Sequence, residues 1–233
     1  MAHGKTVRHK FMGCSMVNRV DALNLAKIDL KNRLRLLDNR FGENSPINND
    51  LLPIVPNGRV VVTQKIKEAL SAIQVITQSE KKEVPFLLYG KNIGQTVFIN
   101  EYDVDLDNLS GVEASHAALV AGMQRFIRES KKDGSDIIVH GHSHPVTSEY
   151  NKCFSLADMN AYRDFRLNDE VFKSGKIELC SCLLADGNYN FLFFDGNDYY
   201  KFNEVCVQNE NGYIVEHLPC YRKNMSLNRT MER

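Results

Sequence analysis

The feature that most constrains this chain is a set of alternating histidines after a short apolar run. His140, His142 and His144 follow the residues Ile-Ile-Val, and Pro145 comes directly after them. Side chains two residues apart on an extended strand face the same way, so the last two histidines can reach a single ion. The sequence therefore predicts a strand over residues 136–140 that leads into a cluster of imidazoles.

A carboxylate follows one loop later. Ser155 is an N-cap candidate, and Asp158 falls in the first turn of the helix that begins there, where the helix dipole favours an ionised carboxylate. Two histidines and one carboxylate form a ligand set typical of a catalytic zinc site with one open position. We therefore predict Zn²⁺ bound by His142, His144 and Asp158. His140 shares their strand face and stays open as a third imidazole ligand or a packed neighbour.

The amino-acid composition limits the kinds of protein that this chain can be. Of the 233 residues, 43% are hydrophobic and 25% are charged, as in an ordinary globular chain with a real core. The 29 basic residues equal the 29 acidic ones, which disfavours nucleic-acid binding through broad phosphate contacts. No apolar run reaches the roughly 18 residues of a membrane span or resembles a secretory signal, so we expect neither.

The six cysteines favour free thiols over disulfides. A chain of this size can build a core and does not need disulfides for stability. Cys180 and Cys182 alternate on a predicted strand, as buried small side chains do. We therefore predict the cytoplasm or another reducing compartment, and a delivered effector stays open.

The chain divides into three predicted regions. Residues 1–57 form an N-terminal extension whose apolar stripe within residues 18–41 predicts an amphipathic helix. This helix either packs on the domain or binds a protein partner. Residues 58–220 form the main domain, and residues 221–233 form a loose basic tail.

Helices and strands alternate along the main domain, which predicts an α/β fold: a central mixed β-sheet with helices on its faces, plus the N-terminal helical extension. Thr63 is the predicted N-cap of the first helix, and Gly90 is predicted to close the second strand. The remaining predictions are helices over residues 114–130 and 155–167, strands over residues 60–62, 86–89, 96–99, 177–185, 189–194 and 199–202, and a terminal hairpin over residues 205–215.

The motif that runs from His142 to Asp158, His-Ser-His-Pro and then Ser-x-x-Asp, resembles the signature of the JAMM metalloproteases, the catalytic MPN family. Glu83, which precedes an apolar strand ending in glycine, resembles the glutamate that this family places there. The resemblance covers residues 59–203 and implies an MPN-like, deaminase-like sandwich. Ten residues separate the second histidine from the serine here, where the family usually has seven.

The resemblance also implies roles for individual residues. His142, His144 and Asp158 would bind Zn²⁺, and Glu83 would take a proton from the attacking water and return it to the leaving amine. Ser155 would donate a hydrogen bond to the charge that builds in the tetrahedral intermediate. The implied activity is a zinc-dependent isopeptidase or peptidase that cleaves ubiquitin or ubiquitin-like protein conjugates.

Three alternatives stay open. The family's fold also occurs in metal-free subunits, so a non-catalytic interaction scaffold is one. A cysteine hydrolase that uses Cys153 is another, although Lys152 is slender support for a lowered thiol pKa. Glu80 is a rival to Glu83 as the general base. The motifs of zinc deaminases, helical zincins and serine hydrolases are absent from the sequence.

Overall fold

A computed structural model describes residues 46–47, 52–104, 135–146, 152–174 and 177–220. The predicted helices within residues 18–41 and over residues 114–130, and the tail from residue 221, lie outside these ranges. The described elements are β1 (Arg59–Thr63), α1 (Gln64–Glu80), β2 (Pro85–Ile93), β3 (Thr96–Val104), β4 (Ile137–Ser143), α2 (Leu156–Asn168), α3 (Glu170–Lys173), β5 (Glu178–Ala185), β6 (Asn188–Phe194), β7 (Tyr199–Lys201), β8 (Glu204–Gln208) and β9 (Ile214–Leu218).

The strands form one mixed sheet in the order β7-β6-β5-β4-β2-β3-β1-β8-β9. Strand β1 runs parallel to β3 and to β8, and β4 runs parallel to β5, whereas the other neighbours are antiparallel. The predicted α/β class with a mixed central sheet is confirmed, although strands outweigh helices in the described part of the chain.

Helices cover both faces of the sheet. Helix α1 begins where the Thr63 side chain accepts a hydrogen bond from the Ile66 amide at 3.4 Å, as predicted for an N-cap. Its apolar side chains, spaced three and four apart, bury one side of α1 in a core with β1, β2 and β4. Helix α2 buries Met159 and Tyr162 in a second core on the opposite face, with Ile138 of β4. The sheet therefore lies between two apolar layers.

Gly90 does not close the second strand, and that prediction was wrong. Strand β2 continues to Ile93, and its register with β3 shifts between Tyr89 and Gly90. A Cβ on Gly90 would lie 1.7 Å from the carbonyl oxygen of Phe98. The glycine is needed because two backbones approach closely at a bulge, which is the other common reason for a glycine within a strand.

Part of the predicted N-terminal extension packs on the main domain. Ile47 and Leu52 are buried in the α2-side core. The Ile47 amide donates to the Phe154 carbonyl at 2.7 Å, and Pro46 forms a β-bridge with Ser155. These contacts support the backbone at Ser155, directly before α2, and Asp158 follows in the first turn of that helix.

Candidate metal centre

Strand β4 carries His140 and His142, is buried along its whole length, and ends one residue before His144. It runs to Ser143, three residues beyond the predicted end, so His142 lies within the strand. Alternation sends His140 and His142 towards α2 and its flanking loop, where their rings contact Phe165 and Phe154 respectively. The flanking strands β2 and β5 hold β4 from both sides and fix the position of these rings.

Gly141 allows β4 to pack closely against β2. A Cβ at this position would lie 2.0 Å from the ring of Phe86, which is almost fully buried. The glycine between two histidines is therefore a packing requirement of the strand that carries them.

We expect Gly141→Ala to destabilise the protein by about 1–3 kcal/mol, the usual cost of overpacking a core. Chemical denaturation of the metal-free protein measures this directly. Adding Phe86→Leu should recover part of the loss, since it removes ring atoms that the new methyl group would meet. A strictly additive double mutant would contradict the proposed cause.

Asp158 is held in place by the start of α2. The Ser155 hydroxyl accepts from the Asp158 amide at 3.1 Å, and the Ser155 amide donates to Asp158 Oδ2 at 2.7 Å, which forms a capping box. The same hydroxyl also lies 2.7 Å from Oδ2, where its proton can be donated. Oδ2 is thereby satisfied by Ser155 and lies 3.8 Å from His144 Nε2, whereas Oδ1 faces His142.

The imidazoles and this carboxylate converge on one point. His142 Nε2 lies 3.0 Å from His144 Nε2 and 3.2 Å from Asp158 Oδ1, and His144 Nε2 lies 3.8 Å from Asp158 Oδ2. Zinc bonds of about 2.0–2.1 Å in a tetrahedron separate the ligand atoms by about 3.3 Å. The separations of 3.0 and 3.2 Å at His142 Nε2 are close to this value, and one ligand atom from each of the three residues lies within 4.8 Å of the other two, so the three residues could hold a metal ion.

Glu83 lies at the same place. Its Oε1 is 3.6 Å from His144 Nε2, and the side chain is 14% exposed. Two carboxylates beside two imidazoles give the site a charge of −2 when both rings are neutral, which a divalent cation balances. The donor set and its charge both fit Zn²⁺, although they do not distinguish it from other borderline divalent ions.

A buried hydroxyl pair holds the backbone of Val84, the residue next to Glu83. Ser143, between His142 and His144, accepts from the Val84 amide at 3.0 Å and contacts the Thr77 hydroxyl at 2.5 Å. Since Thr77 donates to the Ile73 carbonyl at 2.7 Å, Ser143 is free to donate to Thr77. The Ser143 amide also donates to the Val84 carbonyl at 3.2 Å, so β4 is tied to the residue next to Glu83.

Sequence reasoning missed this hydroxyl pair. Ser143 alternates with the histidines and so points to the opposite face of β4, where an apolar side chain is the usual occupant. A polar residue at such a position needs a partner, and Thr77 on the inner side of α1 is the one that it finds. A serine at a strand position where an apolar side chain is usual was therefore the signal available in the sequence.

The site's electrostatics favour an ionised carboxylate. Burial by itself lowers the pKa of His142, but the charge and hydrogen bond of Asp158, with a contribution from Glu83, raise that pKa above its ordinary value. Burial by itself raises the pKa of Asp158, but the nearby imidazoles and the Ser155 amide hold it well below its usual range. Without a metal, therefore, an ion pair of His142 and Asp158 stabilises the site.

We expect zinc affinity to fall as the pH falls through the raised pKa of His142, because zinc binds only the neutral imidazole. In the metal-free protein, the contribution of the ion pair to stability has its own dependence on pH. The His142 contribution to stability is present below its unfolded pKa of about 6.5 and is lost as pH rises through the folded pKa. The Asp158 contribution is present above about 3.9 and is lost as pH falls through its depressed pKa.

Calorimetric zinc titrations across a pH series measure how zinc affinity depends on pH. Denaturation of the metal-free protein across the same series measures how its stability depends on pH. Zinc affinity that stayed constant between about pH 8 and about pH 6 would contradict proton competition at His142.

The other candidate residues have different surroundings. His140 packs with its ring centroid 5.3 Å from that of Phe165 and is not a member of the metal-ligating group. Glu80 is exposed at the end of α1. Cys153 is buried, and Lys152 forms an ion pair with Asp186 at 2.7 Å. That cation already faces a carboxylate, so it gives little support to a thiolate at Cys153.

None of the helices in the described ranges is both long enough and apolar enough to cross a bilayer.

No family model and no curated protein matches this chain. The solution structure of protein DSY2949 from Desulfitobacterium hafniense is similar over 65% of this chain and 94% of that chain. The two are 16% identical, and the TM-score is 0.41. A similarity at this level carries no argument about function, which therefore depends on the geometry of the site.

Proposed function

We propose that this chain is a zinc-dependent isopeptidase or peptidase of JAMM type with an MPN-like fold. The observation that carries the proposal is the convergence of His142, His144 and Asp158, with the Glu83 carboxylate beside His144 Nε2. The order of these residues along the chain is that of the family the sequence resembles. The roles of the residues follow from this placement.

When bound, Zn²⁺ supplies Lewis acidity and lowers the pKa of a coordinated water to about 7. Glu83 then serves as the general base and acid. Its carboxylate accepts a proton from the attacking water and later delivers that proton to the leaving amine. Its largely buried side chain and the backbone tie through Val84 keep the carboxylate at the edge of the site.

Ser155 has two successive tasks in this proposal. Its hydroxyl donates to Asp158 Oδ2 and so orients the ligand carboxylate. During amide cleavage the same hydroxyl can turn to donate to the developing oxyanion, as the Ser155 amide still satisfies Oδ2. The Ser155 hydroxyl can therefore donate to the oxyanion while the Ser155 amide keeps the Asp158 carboxylate in place.

The cavity beside His144 has room for only a small part of a substrate. A cavity of about 200 Å³ opens beside His144, between α1 and the turn that joins β5 to β6, and Gln74 and Gln78 contribute polar side chains to it. Small-molecule sites usually enclose about 300–1,000 Å³. Because the family that the sequence resembles cleaves such conjugates, we propose ubiquitin or ubiquitin-like protein conjugates as the substrate class, with only one side chain or a short stretch of backbone entering this cavity.

The proposed setting is the cytoplasm or another reducing compartment. None of the five cysteines in the described part of the chain is in a disulfide, and four of them are buried. Thiols kept as small apolar side chains fit a protein that is not exposed to oxidising conditions.

The decisive experiment incubates the zinc-loaded full chain with a panel of ubiquitin-like conjugates, with and without a chelator. The proposal expects cleavage that the chelator abolishes and added zinc restores. His142→Ala should be inactive, and Cys153→Ser should retain most of the activity, since the thiol takes no part. A chain that binds zinc poorly, folds stably and cleaves nothing would instead be a scaffold. Loss of activity in Cys153→Ser with zinc retained would favour the cysteine hydrolase.

A further inference from the structure

A second group of metal-ligating side chains lies on the β8–β9 hairpin. Glu204 and Cys206 alternate along β8, and His217 lies directly opposite Cys206 on β9. Three strands (β2, β3 and β1) separate β8 from the strand that carries His142. The two groups share no residue, so this one plays no part in the proposed cleavage reaction.

The separations of the ligand atoms match those around a tetrahedral ion. Cys206 Sγ lies 3.6 Å from His217 Nδ1, which lies 3.3 Å from Glu204 Oε1. Zinc bonds of about 2.3 Å to sulfur and about 2.0–2.1 Å to nitrogen or oxygen predict edges of about 3.6 Å and about 3.3 Å. All three ligand atoms lie within 4.8 Å of one another. The sulfur, nitrogen and carboxylate oxygen are therefore already arranged as neighbouring ligands.

The two carboxylate oxygens of Glu204 face different partners. Arg59 Nε lies 3.4 Å from Oε2, which leaves Oε1 facing His217. A cation at this point would offset the negative charge of Glu204 and displace the thiol proton, as zinc does when it binds cysteine.

We propose that Glu204, Cys206 and His217 form a second metal site, here called the hairpin site, that binds Zn²⁺ or a similar borderline ion. A thiolate, an imidazole and a carboxylate are a ligand set that suits such ions. Strand β9 pairs only with β8 among the described strands, so an ion shared by β8 and β9 would hold the edge of the sheet together. Because the His217 side chain is 66% exposed, solvent can take the remaining position and the ion can exchange.

Cobalt substitution tests the hairpin site independently of catalysis. Thiolate ligands give Co²⁺ an intense near-ultraviolet charge-transfer absorption, which the cysteine-free set of His142, His144 and Asp158 cannot produce. We expect the full chain to bind two equivalents of Co²⁺ and to show this absorption. His142→Ala should bind one equivalent and keep the absorption, whereas Cys206→Ser should bind one equivalent and lose it.

An exposed ligand supplies the second variant, which is useful if Cys206→Ser does not fold. His217→Ala should lower zinc affinity at the hairpin site by roughly 100-fold or more, since the loss of a partner outside the coordination shell already costs about 10–100-fold. Val215→Ala, at an exposed position two residues earlier on the same strand, is the matched control and should bind normally.

The outcomes separate this proposal from the proposed function. A wild-type protein without the thiolate absorption, or a Cys206→Ser variant that keeps it, would overturn the hairpin site whatever the enzyme does. Unchanged zinc affinity in His217→Ala would overturn it as well. A thiolate absorption in a protein that cleaves no conjugate would support the hairpin site and count against the proposed function.

Discussion

Glu83→Gln is expected to lower kcat by about 10²–10⁴-fold, the usual contribution of a general acid–base group, while bound zinc stays at the wild-type level. Glutamine preserves the size and hydrogen-bonding shape of the side chain but cannot accept a proton. Because Glu83 is not one of the three proposed ligands, its loss should separate turnover from metal binding. Conjugate cleavage under saturating substrate, with zinc content measured on the same sample, checks both halves of the expectation.

Glu80→Gln is the matched control for this variant. Glu80 lies three residues earlier and is exposed at the end of α1, so its replacement should leave kcat near the wild-type value. The reverse result, a large loss in Glu80→Gln and none in Glu83→Gln, would show that the general base had been misassigned. Equal small losses in both variants would count against carboxylate catalysis at this end of α1.

The three residues that could hold a metal ion could be predicted from sequence because local rules place each of them. Alternation along a strand puts His142 and His144 within reach of one another, and the N-cap pattern puts Asp158 in the first turn of a helix. Whether they meet in space depends on packing between distant segments, which local rules do not predict and which only the family resemblance implied. Two such packing contacts bring the residues together. Strand β4 pairs closely with β2 at Gly141, and Ile47 anchors the loop before α2.

Features that depend on contacts between distant segments could not be predicted. The hydroxyl pair of Thr77 and Ser143 joins residues 66 positions apart. Gly90 was misinterpreted because a glycine in a strand suits either an end or a bulge, and only the partner strand decides between them. The hairpin site shows the same limit: the predicted hairpin brought the right strands together, but the register that sets Cys206 opposite His217 was not determined.

Asp158→Asn is expected to lower zinc affinity at the candidate metal centre by roughly 100-fold or more and to abolish cleavage at ordinary zinc concentrations. The amide has the shape of the carboxylate and can still accept from the Ser155 amide, but it lacks the charge that balances a divalent ion. The fold should therefore survive while the metal is lost. Asp158→Ala should lose the metal as well and also cost roughly 1 kcal/mol of stability, because it removes one half of the capping box.

The metal-free form of Asp158→Asn gives a further readout that does not depend on activity. In the wild-type protein, the carboxylate is the main cause that offsets burial and raises the pKa of His142. Without that charge, burial dominates and the pKa of His142 should fall below its wild-type value, which a histidine NMR titration measures directly. A variant whose His142 titrated as in the wild type and whose zinc affinity was unchanged would show that Asp158 is neither the partner nor the ligand of these imidazoles. The zinc chemistry proposed for this chain would then lack its third ligand.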